Sequence, residues 1–201
     1  MKFGTAAALT VLLGCLAPPT EAQTSARIFV VMVDDARFNP AETRNAEQLL
    51  ALLRDQILTE ADLVGIVSTG PSGVATDLHS PADPRRLNDS IRKITNGRPV
   101  EPGPGSTAHS ADSRRYAHVA FLTATDIVRN LAKVEGGSKH FVFVSSAETA
   151  ATALEAAVAD QGGELARDVA ELASVARLGN VTMRVVDAGD LASANVLRPL
   201  K

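Results

Sequence analysis

The sequence predicts an α/β fold, a doubly wound, mostly parallel sheet with one antiparallel edge strand and helices on both faces. Two observations carry this prediction. Residues 28–33 (IFVVMV) and 141–144 (FVFV) are continuous apolar runs, the pattern of strands buried on both faces of a parallel sheet. Between such runs the apolar period lengthens to that of a helix, and this alternation implies strands joined by right-handed crossovers.

Taken in order, residues 28–33 form a central strand. Asn39-Pro40-Ala41-Glu42 then opens a helix over residues 40–58, with Ala46, Leu49, Leu50, Leu53 and Ile57 on one stripe. Asn39 suits the cap, Pro40 the first helical position, and Glu42 the reciprocal arm of a capping box. Residues 63–67 (LVGIV) read as another buried strand. The turn at 69–73 (TGPSG) precedes alternating Val74, Thr76 and Leu78, which predicts a short antiparallel strand at the sheet edge.

Asp83-Pro84 opens a helix carrying Leu87, Ile91 and Ile94, stopped at Asn96-Gly97. Residues 98–112 have loop chemistry of unusual length for a compact domain. Beyond them Tyr116, Val119, Thr123, Ile127 and Leu131 line one face of a long helix that Gly136-Gly137 ends before the second central strand. An alanine-rich helix follows over residues 147–160. After the break at Gly162-Gly163, Leu165, Val169, Leu172 and Ala176 mark another helix ending at Gly179. Residues 181–186 (VTMRVV) form a strand nearer an edge, and residues 187–201 carry only a weak helical pattern.

Residues 1–22 read as a signal peptide: Lys2, an apolar stretch, two prolines and Thr20-Glu21-Ala22 at a cleavage region. Residues 23–201 are then one domain, exported to the periplasm or cell exterior. Cys15 follows Leu12-Leu13-Gly14 in a lipoprotein-like box, so a lipid anchor is the alternative to the soluble form. The apolar run is shorter than the roughly 20 residues of a membrane span. A formal charge of −3 excludes nucleic acid as the main partner, and 3% aromatics with no Trp leaves few stacking platforms. G-x-S-x-G, G-x-G-x-x-G and the phosphate-binding G-x-x-x-x-G-K-S/T are all missing from the sequence.

RIFVVMVDD with its capped helix, the segment ADLVGIVSTGPSGVATDLHSPADP, the helix at 116–131 and KHFVFVSS together resemble a von Willebrand factor type A domain of the divergent, exported bacterial kind. The resemblance covers about residues 26–187 and implies a sheet with ligands at the carboxyl ends of its central strands. It further implies a divalent metal held by Asp-x-Ser-x-Ser after the first strand, a later Thr and a later Asp, with a partner carboxylate completing the shell. This chain departs from that pattern. Asp34 matches the leading Asp, but Ala36 and Phe38 stand at the Ser positions, Thr107 is the counterpart of the loop Thr, and Ser145 or Ser146 replaces the later Asp. Starting from Asp35 instead puts Arg37 and Asn39 at the Ser positions.

The expected function is therefore that of a non-catalytic protein-binding module, adhesive or scaffold-like, with a degenerate metal site and no cofactor. Its binding edge comprises Asp34, Asp35, Arg37, Phe38, Thr107, Ser145, Ser146 and Glu148, with an exposed Phe38 as apolar anchor. Ser145 and Glu148 also fit a capping box for the following helix. One alternative is adhesion through Mg²⁺ or another divalent cation on Asp34, Asp35 and Thr107. The other is a hydrolase or transferase using Asp34 or Asp35 near His109 or His118. Arg85-Arg86 and Arg114-Arg115 start two helices and read as solvated faces, with a site for an acidic partner as the lesser reading.

Overall fold

The computed structural model describes residues 26–96, 109–159, 163–190 and Leu197. Four strands, β1 (Ile28–Val33), β2 (Leu63–Ser68), β3 (Lys139–Ser145) and β4 (Val181–Asp187), form one parallel sheet in the order β2-β1-β3-β4. Val33 lies opposite Ser68 on one side and Val144 on the other. The two runs that are apolar throughout are thus the central strands, while β4 is at an edge. Five helices accompany them among the described residues: α1 (Pro40–Leu52), α2 (Pro84–Asn96), α3 (His109–Lys133), α4 (Ala147–Ala159) and α5 (Glu164–Leu178).

Alternation along the strands divides the core into two layers. Phe29, Val31, Val33, Val142 and Val144 face one way, onto Leu49, Leu50 and Leu53 and onto Leu87, Ile91 and Ile94 of α2. Met32, Phe141 and Phe143 face the other, onto Ala117, Phe121 and Val128 of α3 and Leu172 of α5. Phe121 meets Phe143 edge-on with centroids 5.5 Å apart. Leu197 belongs to the first layer.

The α1 cap forms as its sequence dictates. Asn39 Oδ1 accepts the Ala41 and Glu42 amides at 2.8 and 3.0 Å, and Glu42 Oε2 accepts the Asn39 amide at 2.8 Å. Past Leu52 the helix widens for one turn, Leu53–Ile57, which keeps both Leu53 and Ile57 buried. Buried Asp62 then takes the Arg27 guanidinium at 2.9 and 2.7 Å, fastening the start of β1 beside that of β2. At the turn into β3, Gly137 has a φ of 60° and passes so close to Ala26 that a Cβ would lie 2.0 Å from its carbonyl oxygen.

Three expectations need correction. The antiparallel edge strand appears only as two isolated bridges, Val64 with His79 and Val67 with Ala75. Between them the Ile66 amide donates to Thr76 Oγ1 at 2.8 Å, so a side chain occupies a ladder position and no regular strand forms among the described residues. Helix α3 begins at His109 rather than near Tyr116, so His109 and Asp112 are helical. Its buried face is also rotated. Ala117, Ala120, Phe121, Ala124, Val128 and Leu131 face inward, whereas Tyr116 and Val119 are about half exposed. Small alanines let α3 approach α5 closely, and that packing outweighs the larger side chains on which the sequence period was read. Residues 1–22, Cys15 and 98–108 lie outside the described residues. No described helix is long and apolar enough to cross a membrane.

Phe143 is fully buried in the second layer, edge-on to Phe121 of α3. Phe143→Ala is expected to cost about 3–5 kcal/mol, read as a lower urea midpoint with an unchanged slope. A loss well under about 1 kcal/mol would show that α3 and α5 close onto the vacated volume.

Candidate functional site

The carboxyl ends of β1, β2 and β3 place three polar segments side by side. Ladder bonds continue one step beyond the strands: the Asp34 amide donates to the Val144 carbonyl at 2.8 Å, and the Thr69 amide to the Val33 carbonyl at 3.1 Å. Asp34 therefore sits between the turn after β2 and the start of α4, and it is only 5% exposed.

Each Asp34 oxygen accepts one threonine hydroxyl, Thr69 Oγ1 onto Oδ1 at 2.8 Å and Thr149 Oγ1 onto Oδ2 at 3.0 Å. Thr149 Oγ1 in turn accepts Ser146 Oγ at 3.1 Å, and Ser146 Oγ accepts the Thr149 amide at 3.1 Å as the cap of α4. Burial pushes the Asp34 carboxyl above its ordinary value; the two threonine hydroxyls pull it down, Asp35 nearby pushes it up and Arg37 pulls it down, with burial prevailing.

Asp35, equally buried, is committed elsewhere. Its oxygens accept the Gly70 amide at 2.7 Å and the Ser72 amide at 3.2 Å, so it clamps the turn after β2. A Cβ at residue 70 would lie 2.4 Å from the Ala36 nitrogen and from Asp35 Oδ1, which is why glycine stands there. Buried Glu42 does more than close its own cap: Oε1 accepts the Ala147 amide at 2.8 Å, joining the first turns of α1 and α4.

Above this buried layer lies a more accessible group. Arg37 Nε contacts Glu148 Oε2 at 2.9 Å, and its guanidinium lies 5.1 Å above the Tyr116 ring. Ser113 Oγ donates to Glu148 Oε1. Residues from the β1–α1 turn, α3 and α4 thus meet on one surface.

Of the eight residues expected at the edge, six gather here in some form: Asp34, Asp35, Arg37, Ser145, Ser146 and Glu148. Phe38 does not serve as an anchor. It is 4% exposed and belongs to the core beside α1, because the extended backbone after the Asp35–Arg37 turn directs it inward. The capping role falls to Ser146 rather than Ser145, since β3 runs through Ser145 and the helix begins at Ala147. Glu148 consequently turns to Arg37 and Ser113. Ser145 Oγ is buried without a hydrogen-bond partner among the described residues. Thr107 and the His109 side chain lie outside the described residues. His118 is bound to α5, with Nδ1 2.5 Å from Asp168 and Nε2 3.6 Å from Glu164.

Thr69, Thr149, Ser113 and Tyr116 belong to the site without having been singled out for it. Thr149, three residues after Ser146, carried a readable cap signal; the others meet Asp34 and Arg37 only through the fold. Among the described residues no three His, Cys, Asp or Glu side chains form a group suited to a metal ion.

No protein-family profile and no curated protein matches this chain. Among solved structures it is similar to the pilus adhesin SpaC from Lactobacillus rhamnosus GG, with a TM-score of 0.36 and 12% identity. That match covers 61% of this chain and 15% of the adhesin.

Two substitutions probe the site. Glu42→Gln leaves a side-chain NH2 donor against one of the two backbone N–H donors that Glu42 serves, and a loss of about 1–3 kcal/mol is expected in denaturant unfolding. A midpoint within error of the parent would remove Glu42 as a tie. For Asp34, a folded value raised above 3.8 means that burying the charge opposes folding at neutral pH. That opposition fades as pH falls through the folded value towards the unfolded one. Asp34→Asn is therefore expected to raise the melting temperature at neutral pH and to lose the advantage near pH ~4. A gain that does not change with pH would contradict this sign.

Proposed function

We propose that the chain is an exported, non-catalytic protein-binding module of the von Willebrand factor type A kind that works without a metal ion. One observation carries the reading: Asp34 and Asp35 have all four carboxylate oxygens occupied by hydroxyls or amides of their own chain. They tie the strand ends into a rigid platform, and Arg37, Tyr116 and Glu148 are the groups that platform presents. Arginine and tyrosine are among the side chains on which protein contacts most often depend.

The von Willebrand-type assignment is supported by the central β1–β3 pair, by the fold-back against β2, and by Asp34 standing at the end of β1. Residues 1–22 support export, to the periplasm or beyond. Buried hydroxyls around Asp34 favour the metal-dependent reading, since hard cations take oxygen ligands. That reading carries less weight because a single carboxylate supplies the charge while Asp35 faces the turn. For the hydrolase reading, His118 is held by Asp168 rather than offered to Asp34.

The test is titration of the purified chain with Mg²⁺, Mn²⁺ and Ca²⁺ by calorimetry alongside its melting temperature, which native-state binding must raise. No saturable heat and no thermal shift are expected. Saturable binding that disappears in Asp34→Ala would replace the proposal with metal-dependent adhesion.

A further inference from the structure

The outer side of α3 carries a stripe in alternating steps of three and four residues. Asp112, Arg115, Val119, Leu122, Asp126 and Arg129 form it, and all six are exposed. It lies opposite Ala117, Ala120, Phe121, Ala124 and Val128, which the same helix turns towards the sheet. Alternating steps of three and four mark the seam along which two α-helices pack as a coiled coil. On a helix that packs only against its own sheet such outward positions are polar throughout. Here the middle of the seam is apolar, with Val119 51% and Leu122 42% exposed.

The charges around that middle decide what can cover it. From its N-terminal end the seam runs acid, base, apolar, apolar, acid, base. Against a second α3 running antiparallel, about a two-fold axis midway between residues 120 and 121, Val119 meets Leu122 of the other copy. The same register sets Arg115 against Asp126 and Asp112 against Arg129, and the two-fold repeats each pair. A parallel pair in register would instead set like charges face to face at all four charged positions. Charge complementarity therefore selects a second copy, one orientation and one register. Asp112 and Arg115 make no ion pair among the described residues. Arg129 lies 2.9 Å from Asp126 and also contacts Glu171 of α5. The seam thus offers two unpaired charges on one side of its apolar middle and a pre-positioned acid and base on the other.

We propose that two copies of the chain pair through α3, antiparallel and in this register, with Val119 and Leu122 of each copy at the centre and Arg115–Asp126 pairs on either side. Tyr116 follows Arg115 on one flank of the seam and lies against Arg37. In an antiparallel pair each flank meets its own equivalent, so both Tyr116 residues are on the same side. The dimer then presents two clusters of Arg37, Tyr116 and Glu148 in one direction, which favours two-point attachment. That consequence rests on the binding-module reading above, whereas the pairing itself does not.

The experiment is sedimentation velocity of the purified chain in a chelator, so that no cation bridges the copies. One helix pair makes a small interface, and a reversible dimer with a dissociation constant on the order of 10–100 μM is expected. Arg115→Asp and Asp126→Arg each set like charges face to face on both sides of the centre, and each should weaken the dimer by about tenfold or more. Both positions are exposed, so the fold is retained, as circular dichroism would verify. An equimolar mixture of the two variants brings opposite charges together again and should form a mixed dimer about as strong as the parent's. A parent chain still monomeric at about 1 mM, a charge reversal that leaves association unchanged, or a mixture that does not associate would each overturn the proposal. None of these outcomes bears on the module reading, which the metal titration tests separately.

Discussion

The pairing of β1 with β3 is the constraint on which the rest of the structure depends. Both strands are apolar on both faces, so neither tolerates water on either side, and helices must cover the sheet twice over. That demand sets α1 and α2 against one face and α3 and α5 against the other. It also decides where polar chemistry can begin. The first polar side chains past the apolar stretches of the two central strands are Asp34 and Ser145, and the ladder holds them next to each other at the same end of the sheet.

The strand ends then face an electrostatic problem, because three carboxylates, Asp34, Asp35 and Glu42, are buried there. Neutral donors solve most of it: two threonine hydroxyls for Asp34, two turn amides for Asp35, and the first amides of two helices for Glu42. Amides at helix starts also carry a favourable dipole for a negative group. At Asp34 loss of hydration outweighs the two hydroxyl hydrogen bonds and raises the carboxyl above its ordinary value. The result is a hydrogen-bonded buried layer with a small, more accessible cluster of Arg37, Tyr116 and Glu148 above it.

Much of this was legible in local pattern. The α1 cap was read to the residue, as were the positions of α2 and the apolar stripes of α1 and α5. The readings that failed were those in which two local rules competed. Ser145 and Ser146 both qualify as caps, and only the length of β3 selects the second. Tyr116 and Val119 follow a helical period as well as Ala117, Ala120 and Ala124 do, and only the close approach of α5 selects the alanines. Phe38 among charged residues looks like a surface anchor until the turn at Asp35–Arg37 points it into the core.

The sequence by itself determined the class of fold, the central strands, the caps and the presence of two adjacent acids after β1, because each depends on residues within a few positions of one another. Tertiary structure alone decided which hydroxyls reach Asp34, that Glu42 joins two helices 105 positions apart in sequence, and that Arg37 faces Glu148 and Tyr116. Those contacts join segments whose separation along the chain leaves no trace in spacing. They arise only when burial of the central strands draws the ends of β1, β2 and β3 to one edge.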